Sequence, residues 1–262
     1  MNSIKQIEVI YNNRLVGRLA LTREGLCAFE YSAEWLSSGF SISPFELPLR
    51  SGVFIAKPRP FEGGFGVFDD CLPDGWGLLI LDRYLQQKGI NPRTLTLLDR
   101  LALVGSTGRG ALEFRPDNSV VTRQDFADFE KLALEAEKIL ASDDYMGEGI
   151  EEFQDRGGSP GGARPKIFVR YNDKEWLVKF RAKRNSQSIG VDEYRYSLLA
   201  KECGIEMPET RLFEGKYFGV ERFDRTLGGK LHVVSVAGLI GADYRLPSID
   251  YEDICQGCAM LT

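Results

Sequence analysis

The sequence predicts an α+β protein in two parts: a β-rich N-terminal subdomain with helices, then a second antiparallel sheet carrying a helix. Three observations point there. Residues 4–31 alternate apolar and polar side chains around Asn12-Asn13, a pair that favours tight hairpin turns. Two more hairpin signals, at Asn172-Asp173 and at Gly215, fall in the second half of the chain. Between them the hydrophobic period changes from two to that of helices. The expected boundaries are 1–118 for the first part, 119–156 for a helix and linker, and 157–262 for the second part.

Taken in order, "IEVIYNN" and "RLVGRLALT" read as paired strands and "GLCAFEYS" as a third. "SISPFELPLRSGVF" is broken by proline and reads as irregular. Asp74 is placed to cap a helix over 76–88, ended by Gly89. A second helix follows in "NPRTLTLLDRLALVG", with Leu97, Leu98, Leu101 and Leu103 as core candidates, and "GALEFRP" is a short closing strand. Thr122 and Asp125 resemble a capping box for a helix over 122–142, whose Phe126, Phe129, Ala133, Ala136 and Leu140 fall on one face. The acidic, glycine-bearing segment 142–158 reads as a linker or mobile loop. Then "KIFVRY" and "EWLVKF" form a hairpin, "VDEYRYSLLAKECGI" a helix with Tyr194, Leu198, Leu199 and Cys203 turned inward, and "TRLFEGKYFGVERF" a second hairpin.

Composition excludes several classes of function. The 262 residues are 43% hydrophobic and 27% charged, with a formal net charge of -5, ordinary for a globular chain. An acidic chain without a long basic run is a poor self-sufficient nucleic-acid binder. The start alternates rather than presenting a continuous apolar stretch, and no run reaches the roughly 18 apolar residues of a membrane span. Five scattered cysteines fit reduced thiols in a cytoplasmic protein. Cys255 and Cys258 form a lone CxxC, read as two core thiols on one helical face rather than a zinc site. The single histidine, His232, would have to serve any serine or cysteine hydrolase, and its apolar surroundings favour a structural role.

The chemistry concentrates after residue 156. "RGGSPGGARPK" is glycine-rich, a strand pair ends in Lys179, a helix carries Glu193 early, and a second strand pair ends in "VERFD". Small residues at Gly161 and Gly162 let backbone N–H groups approach phosphates closely. A strand-borne lysine neutralises phosphate oxygens, and a helical carboxylate holds that lysine in place. Glu221, Arg222 and Phe223 then stand where a hinge would meet an adenine edge, with Asp224 beyond it as a structural residue. There is no Walker A or Rossmann fingerprint. The order of elements is that of a kinase-like N-lobe.

At these residues the sequence resembles the HipA-like toxin serine/threonine kinases of bacterial toxin–antitoxin systems. The segments "SPGGARPK", "WLVKF", "DEYRYSLLAKECGI" and "VERFDR" resemble that family's N-lobe, and "VFDDCLPDGWG" and "LLDRLALVGSTGRGALEF" its N-terminal subdomain. The resemblance implies an ATP-binding protein kinase using Mg2+. Gly161, Gly162, Ala163, Arg164, Pro165 and Lys166 match the ATP loop, Lys179 the phosphate-contacting lysine, Glu221 to Phe223 the adenine-side hinge, and Ser159 the loop serine that is autophosphorylated. It also implies a HipB-like DNA-binding antitoxin as partner, with DNA reached only through it, and glutamyl-tRNA synthetase or another tRNA synthetase as protein substrate.

Members of that family run well beyond this length, into a helical lobe with the catalytic aspartate and the metal-binding asparagine and aspartate. The expectation is therefore a chain truncated before its catalytic lobe, with no catalytic or metal residue of its own and no activity alone. Val234 stands where a His-x-Asp loop beginning at His232 would need its aspartate. A second reading is a catalytically dead module that sequesters an antitoxin or regulates a full-length kinase. A third is an α+β protein whose glycine loop is only a turn.

Overall fold

The computed structural model describes residues 3–119, 127–157, 161–182 and 184–261. The chain opens with β1 (Gln6–Tyr11), β2 (Arg14–Leu21), β3 (Cys27–Tyr31), α1 (Ala33–Ser38), β4 (Val53–Ile55) and α2 (Gly66–Asp69). It continues through α3 (Gly75–Gln87), α4 (Leu97–Val104), β5 (Leu112–Arg115), α5 (Phe129–Ala141) and α6 (Gly149–Gly157). The remainder is β6 (Lys166–Tyr171), β7 (Lys174–Lys179), α7 (Ile189–Glu202), β8 (Thr210–Phe213), β9 (Tyr217–Glu221), β10 (Arg225–Thr226), β11 (Gly229–Lys230), α8 (Val236–Ile240) and α9 (Tyr251–Leu261). The fold is α+β with antiparallel sheets, as the alternation predicts. No helix among the described residues is long and apolar enough to cross a membrane.

Two compact units interleave along the chain. The first gathers Met1–Leu72, Thr94–Ser119 and Gly228–Thr262, the second Pro73–Arg93 and Val120–Leu227. These units and the contiguous parts expected from sequence divide the chain differently. The first unit is a sheet ordered β4-β3-β2-β1-β5. Asn12 and Asn13 both take positive φ, 45° and 62°, so the β1–β2 turn has the twist that matches its strands. One face buries Val9, Val16, Leu19, Phe29 and Phe114 against Leu98 and Leu101 of α4. Thr96 and Asp99 close a capping box on α4. Leu97 only packs at the edge of this core, and Leu103 is half-buried; Ala102 and Val104 are buried in addition. Residues after 228 join this unit through Asp70, which accepts hydrogen bonds from the Ser235 N–H and from its hydroxyl at 2.7 Å. His232 has the structural surroundings expected, its Nε2 lying 2.8 Å from the Ile42 carbonyl beside the Phe40 ring.

The second unit holds a sheet ordered β6-β7-β9-β8, with both predicted hairpins in place. Trp176, Val178 and Phe180 alternate onto one face and pack with Phe129, Phe153 and Trp76. Segment 142–158 is a correction: most of it is α6, not a linker. Ile150 and Phe153, three apart, face the core with Arg156, while Glu151 and Glu152 fill the first turn. Helix α5 begins at Phe129 behind Asp128, whose carboxylate accepts the Lys131 N–H at 2.9 Å. Thr122, Asp125 and Phe126 lie outside the described residues. The face it buries is Phe129, Leu132, Ala136 and Ile139, so Ala133 and Leu140 sit at the margin.

Two further expectations fail on burial. Helix α7 turns Gly190 and Ser197 inward, leaving Leu198, Leu199 and Cys203 exposed and Tyr194 half-buried. Its apolar residues follow no single helical stripe, and small residues make the close contact instead. Cys255 and Cys258 are exposed on α9, where Gly257 is the buried residue.

Candidate functional site

The site grows from the β6–β7 hairpin. Asn172 and Asp173, at φ 49° and 59°, form its two-residue turn and fix a register that pairs Lys166 with Lys179 at the open end. Residues directly opposite in an antiparallel pair project to the same face. Hence two ammonium groups share one face, and Arg164, two residues before β6, brings a third cation. Such a cluster needs carboxylates or an anionic ligand.

Helix α7 supplies the first carboxylate. Gly190 lets its first turn settle on the Lys216 carbonyl, where a Cβ would stand only 2.1 Å from the oxygen. That contact places Glu193, also in the first turns of α7, over the strand end. Glu193 accepts a short hydrogen bond from the Lys179 ammonium through Oε1 and one from Arg164 Nη1 through Oε2 at 2.5 Å. The Lys179 ammonium also lies 5.3 Å from the centre of the Phe218 ring. Each group is about a quarter exposed, so the pair borders solvent.

The second carboxylate is one the sequence places elsewhere. Asp74 occupies the N-cap position of α3, but its side chain makes no hydrogen bond to that helix. It accepts a short hydrogen bond from the Gly162 N–H, while Trp76 N–H donates to the Gly162 carbonyl at 3.1 Å. Gly75, at φ 44°, makes this docking possible, since a Cβ there would meet Gly162 and Ala163 backbone atoms within 2.9 Å. The start of α3 therefore clamps the glycine loop. No local pattern announces this, because "PDGWG" reads equally well as a plain helix start.

Lys166 closes the loop from below. Its ammonium donates to the Gly161 carbonyl at 2.6 Å and to the Gly162 carbonyl at 2.9 Å. The residue is only 4% exposed. Burial pulls its ammonium down from 10.5 to about 8; Asp74 opposes the fall, Lys179 and Arg164 add to it, and Glu193 opposes it weakly. A lysine so placed gains from an anion at the loop.

Thus Gly161, Gly162, Arg164, Lys166, Lys179 and Glu193 come together. Glu221 pairs with Trp176 while Phe218 pairs with Lys179, so the expected hinge begins three residues, about 10 Å, along the sheet. The Arg222 side chain is spent there: it is buried, bonded to Asp224 and Glu175, and its guanidinium lies 4.1 Å from the centre of the Phe168 ring. Glu221 bonds Lys174 at 2.7 Å, and Phe223 is 61% exposed. Asp224, buried between Arg222 and Arg225, has the structural part expected of it. Ser159 lies outside the described residues. Among those described, no three His, Cys, Asp or Glu side chains gather as a metal site.

The glycine loop thus lies beside two lysines and an arginine, with Lys179 and Arg164 held by Glu193. The comparisons with known families assign it further. Residues 7–115 match the HipA N-terminal domain and residues 158–261 the HipA-like C-terminal domain. The chain belongs to the HipA-like family. No curated protein matches it.

Proposed function

We propose that the second unit binds ATP and that the protein serves as a serine/threonine protein kinase, the toxin of a toxin–antitoxin system. The single observation that carries this reading is the Lys179–Glu193 pair beside a docked glycine loop. In a phosphoryl-transfer site that pair keeps a cation aimed at phosphate oxygens, and the loop N–H groups complete the cradle. Lys166 fits the same ligand, because an ammonium whose charge burial disfavours gains when a phosphate replaces carbonyl oxygens as its acceptor.

In this reading Gly161, Gly162, Ala163, Arg164, Pro165, Lys166 and Lys179 face the phosphates. Glu221, Arg222 and Phe223 border the adenine through backbone and the Phe223 ring, since the Arg222 side chain is held in ion pairs. When bound, Mg2+ supplies charge neutralisation between phosphate oxygens. Among the described residues no three His, Cys, Asp or Glu side chains gather to hold it. Phosphorylation of Ser159 would add roughly -2 charge beside the ATP phosphates and repel them. A HipB-like DNA-binding antitoxin as restraint, a tRNA synthetase such as glutamyl-tRNA synthetase as substrate, and a cytoplasmic setting complete the proposal.

The test is transfer from radiolabelled ATP to purified glutamyl-tRNA synthetase and to a panel of other tRNA synthetases, with growth of expressing cells followed in parallel. Label on a synthetase and growth arrest, both lost in Lys179→Met, are expected. ATP binding without transfer to any protein would favour a regulatory binding module. Absence of ATP binding would remove the kinase reading.

A further inference from the structure

Helix α7 has two sides of different character. Gly190 and Ser197 settle against the sheet, where the Ser197 hydroxyl lies 2.8 Å from that of Thr210. With 3.6 residues per turn, the side opposite those two carries Arg195, Leu198, Leu199 and Glu202. Leu198 is 40% and Leu199 52% exposed, and Tyr196, at the edge of the same face, is 72% exposed. Single exposed leucines are ordinary on a protein surface, but neighbouring ones beside an exposed tyrosine mark an interaction surface.

The charges on this face say what covers it. Arg195 and Glu202 are exposed, and among the described residues neither side chain has an ion pair or hydrogen bond. They stand seven residues apart, about 10 Å along the axis, too far to pair within one helix. The midpoint of Arg195 and Glu202 is also the midpoint of Leu198 and Leu199. A second α7, laid antiparallel about a two-fold axis through that point, sets Arg195 against the partner's Glu202 and Glu202 against the partner's Arg195. The same register stacks the two leucine pairs on each other. Charge and apolar contacts thus agree on one self-complementary arrangement, as an isologous interface requires.

We propose that this face of α7 joins two copies of the chain in an antiparallel, two-fold dimer. The leucines and Tyr196 supply the apolar area, and the reciprocal ion pairs select the register more than they add affinity. One helix pair buries less than the roughly 1,200 Å² of a standard interface, so the dimer is a weak one, formed at about tens of micromolar. Glu193 is turned away from this face, so the proposal does not depend on ATP binding at the glycine loop.

Sedimentation velocity of the full chain from about 1 to 300 µM tests it, a range that brackets weak association. The mean mass should rise from monomer towards dimer. Leu199→Asp should leave only monomer, with circular dichroism showing that this exposed substitution keeps the fold. Arg195→Glu and Glu202→Arg should each weaken the dimer about tenfold, because each turns two attractions into repulsions. The double exchange Arg195→Glu with Glu202→Arg should restore it. Monomer at every concentration would overturn the proposal and leave the face to a different partner. A dimer that survives Leu199→Asp would overturn it too, as would one whose strength the double exchange does not restore.

Discussion

Replacing Asp74 separates the glycine-loop clamp from the helix cap that the sequence suggests. Asp74→Ala removes the carboxylate that holds the Gly162 N–H but no hydrogen bond to the first turn of α3. A hydrogen bond to a charged acceptor contributes about 1.5–3 kcal/mol, and the exposed position of this one argues for the lower end. A loss of about 1.4 kcal/mol shifts the docked-loop equilibrium tenfold. If the docked loop is the binding-competent form, affinity for ATP falls by up to that factor. The charge also matters, since Asp74 favours the Lys166 ammonium yet repels incoming phosphates. Asp74→Asn keeps an acceptor and removes the charge, so it should bind ATP within about threefold of wild type while Asp74→Ala binds about tenfold more weakly. Amide exchange at Gly162 should accelerate in the alanine variant, because the loop undocks more often, with unfolding free energy lowered by no more than about 1.4 kcal/mol. A fluorescent ATP-analogue titration and hydrogen exchange read these outcomes. Equal affinity in the two variants, with exchange at Gly162 unaltered, would refute the clamp.

Lys166 links the site to pH. Its folded value of about 8 lies below 10.5, so between those limits the unfolded chain holds the extra proton and stability from this group rises with pH. Lys166→Met should lack that rise in urea titrations, and in the wild type ATP binding should weaken above pH 8 with proton uptake visible in buffers of different ionisation heat. Phe153→Ala should cost about 3–5 kcal/mol, because Phe153 is buried in α6 against Trp76 and Phe180; a loop at this position would lose almost nothing. Asp224→Asn should cost about 3 kcal/mol in the same assay by leaving the buried Arg222 undercompensated, without lowering ATP affinity at the folded plateau.

Hairpins were legible wherever the turn residues dictate geometry. Asn12-Asn13 and Asn172-Asp173 prefer positive φ, and that preference sets the register that places Lys166 opposite Lys179. The Lys179–Glu193 contact was legible from element order alone. Segment 142–158 was not: its acidic residues hide two apolar positions three apart, which form a helix only because Trp76 and Phe180 are there to cover Phe153. Helix α7 misled in the opposite way, since glycine and serine make its contact and its leucines face out. The Asp74–Gly162 and Arg164–Glu193 contacts join residues 88 and 29 positions apart. Neither partner carries a local signal for the other, so only the fold reveals them.

The central claim is that the glycine loop and the Lys179–Glu193 pair act together on ATP phosphates. A double-mutant cycle on ATP-analogue affinity, with Lys179→Met, Glu193→Gln and both, measures that coupling directly. Each single change should weaken binding about tenfold and the double change little more than either, because Glu193 acts by holding Lys179. Additive losses would mean that the two residues act independently. ATP binding at wild-type strength in Lys179→Met would contradict the account outright.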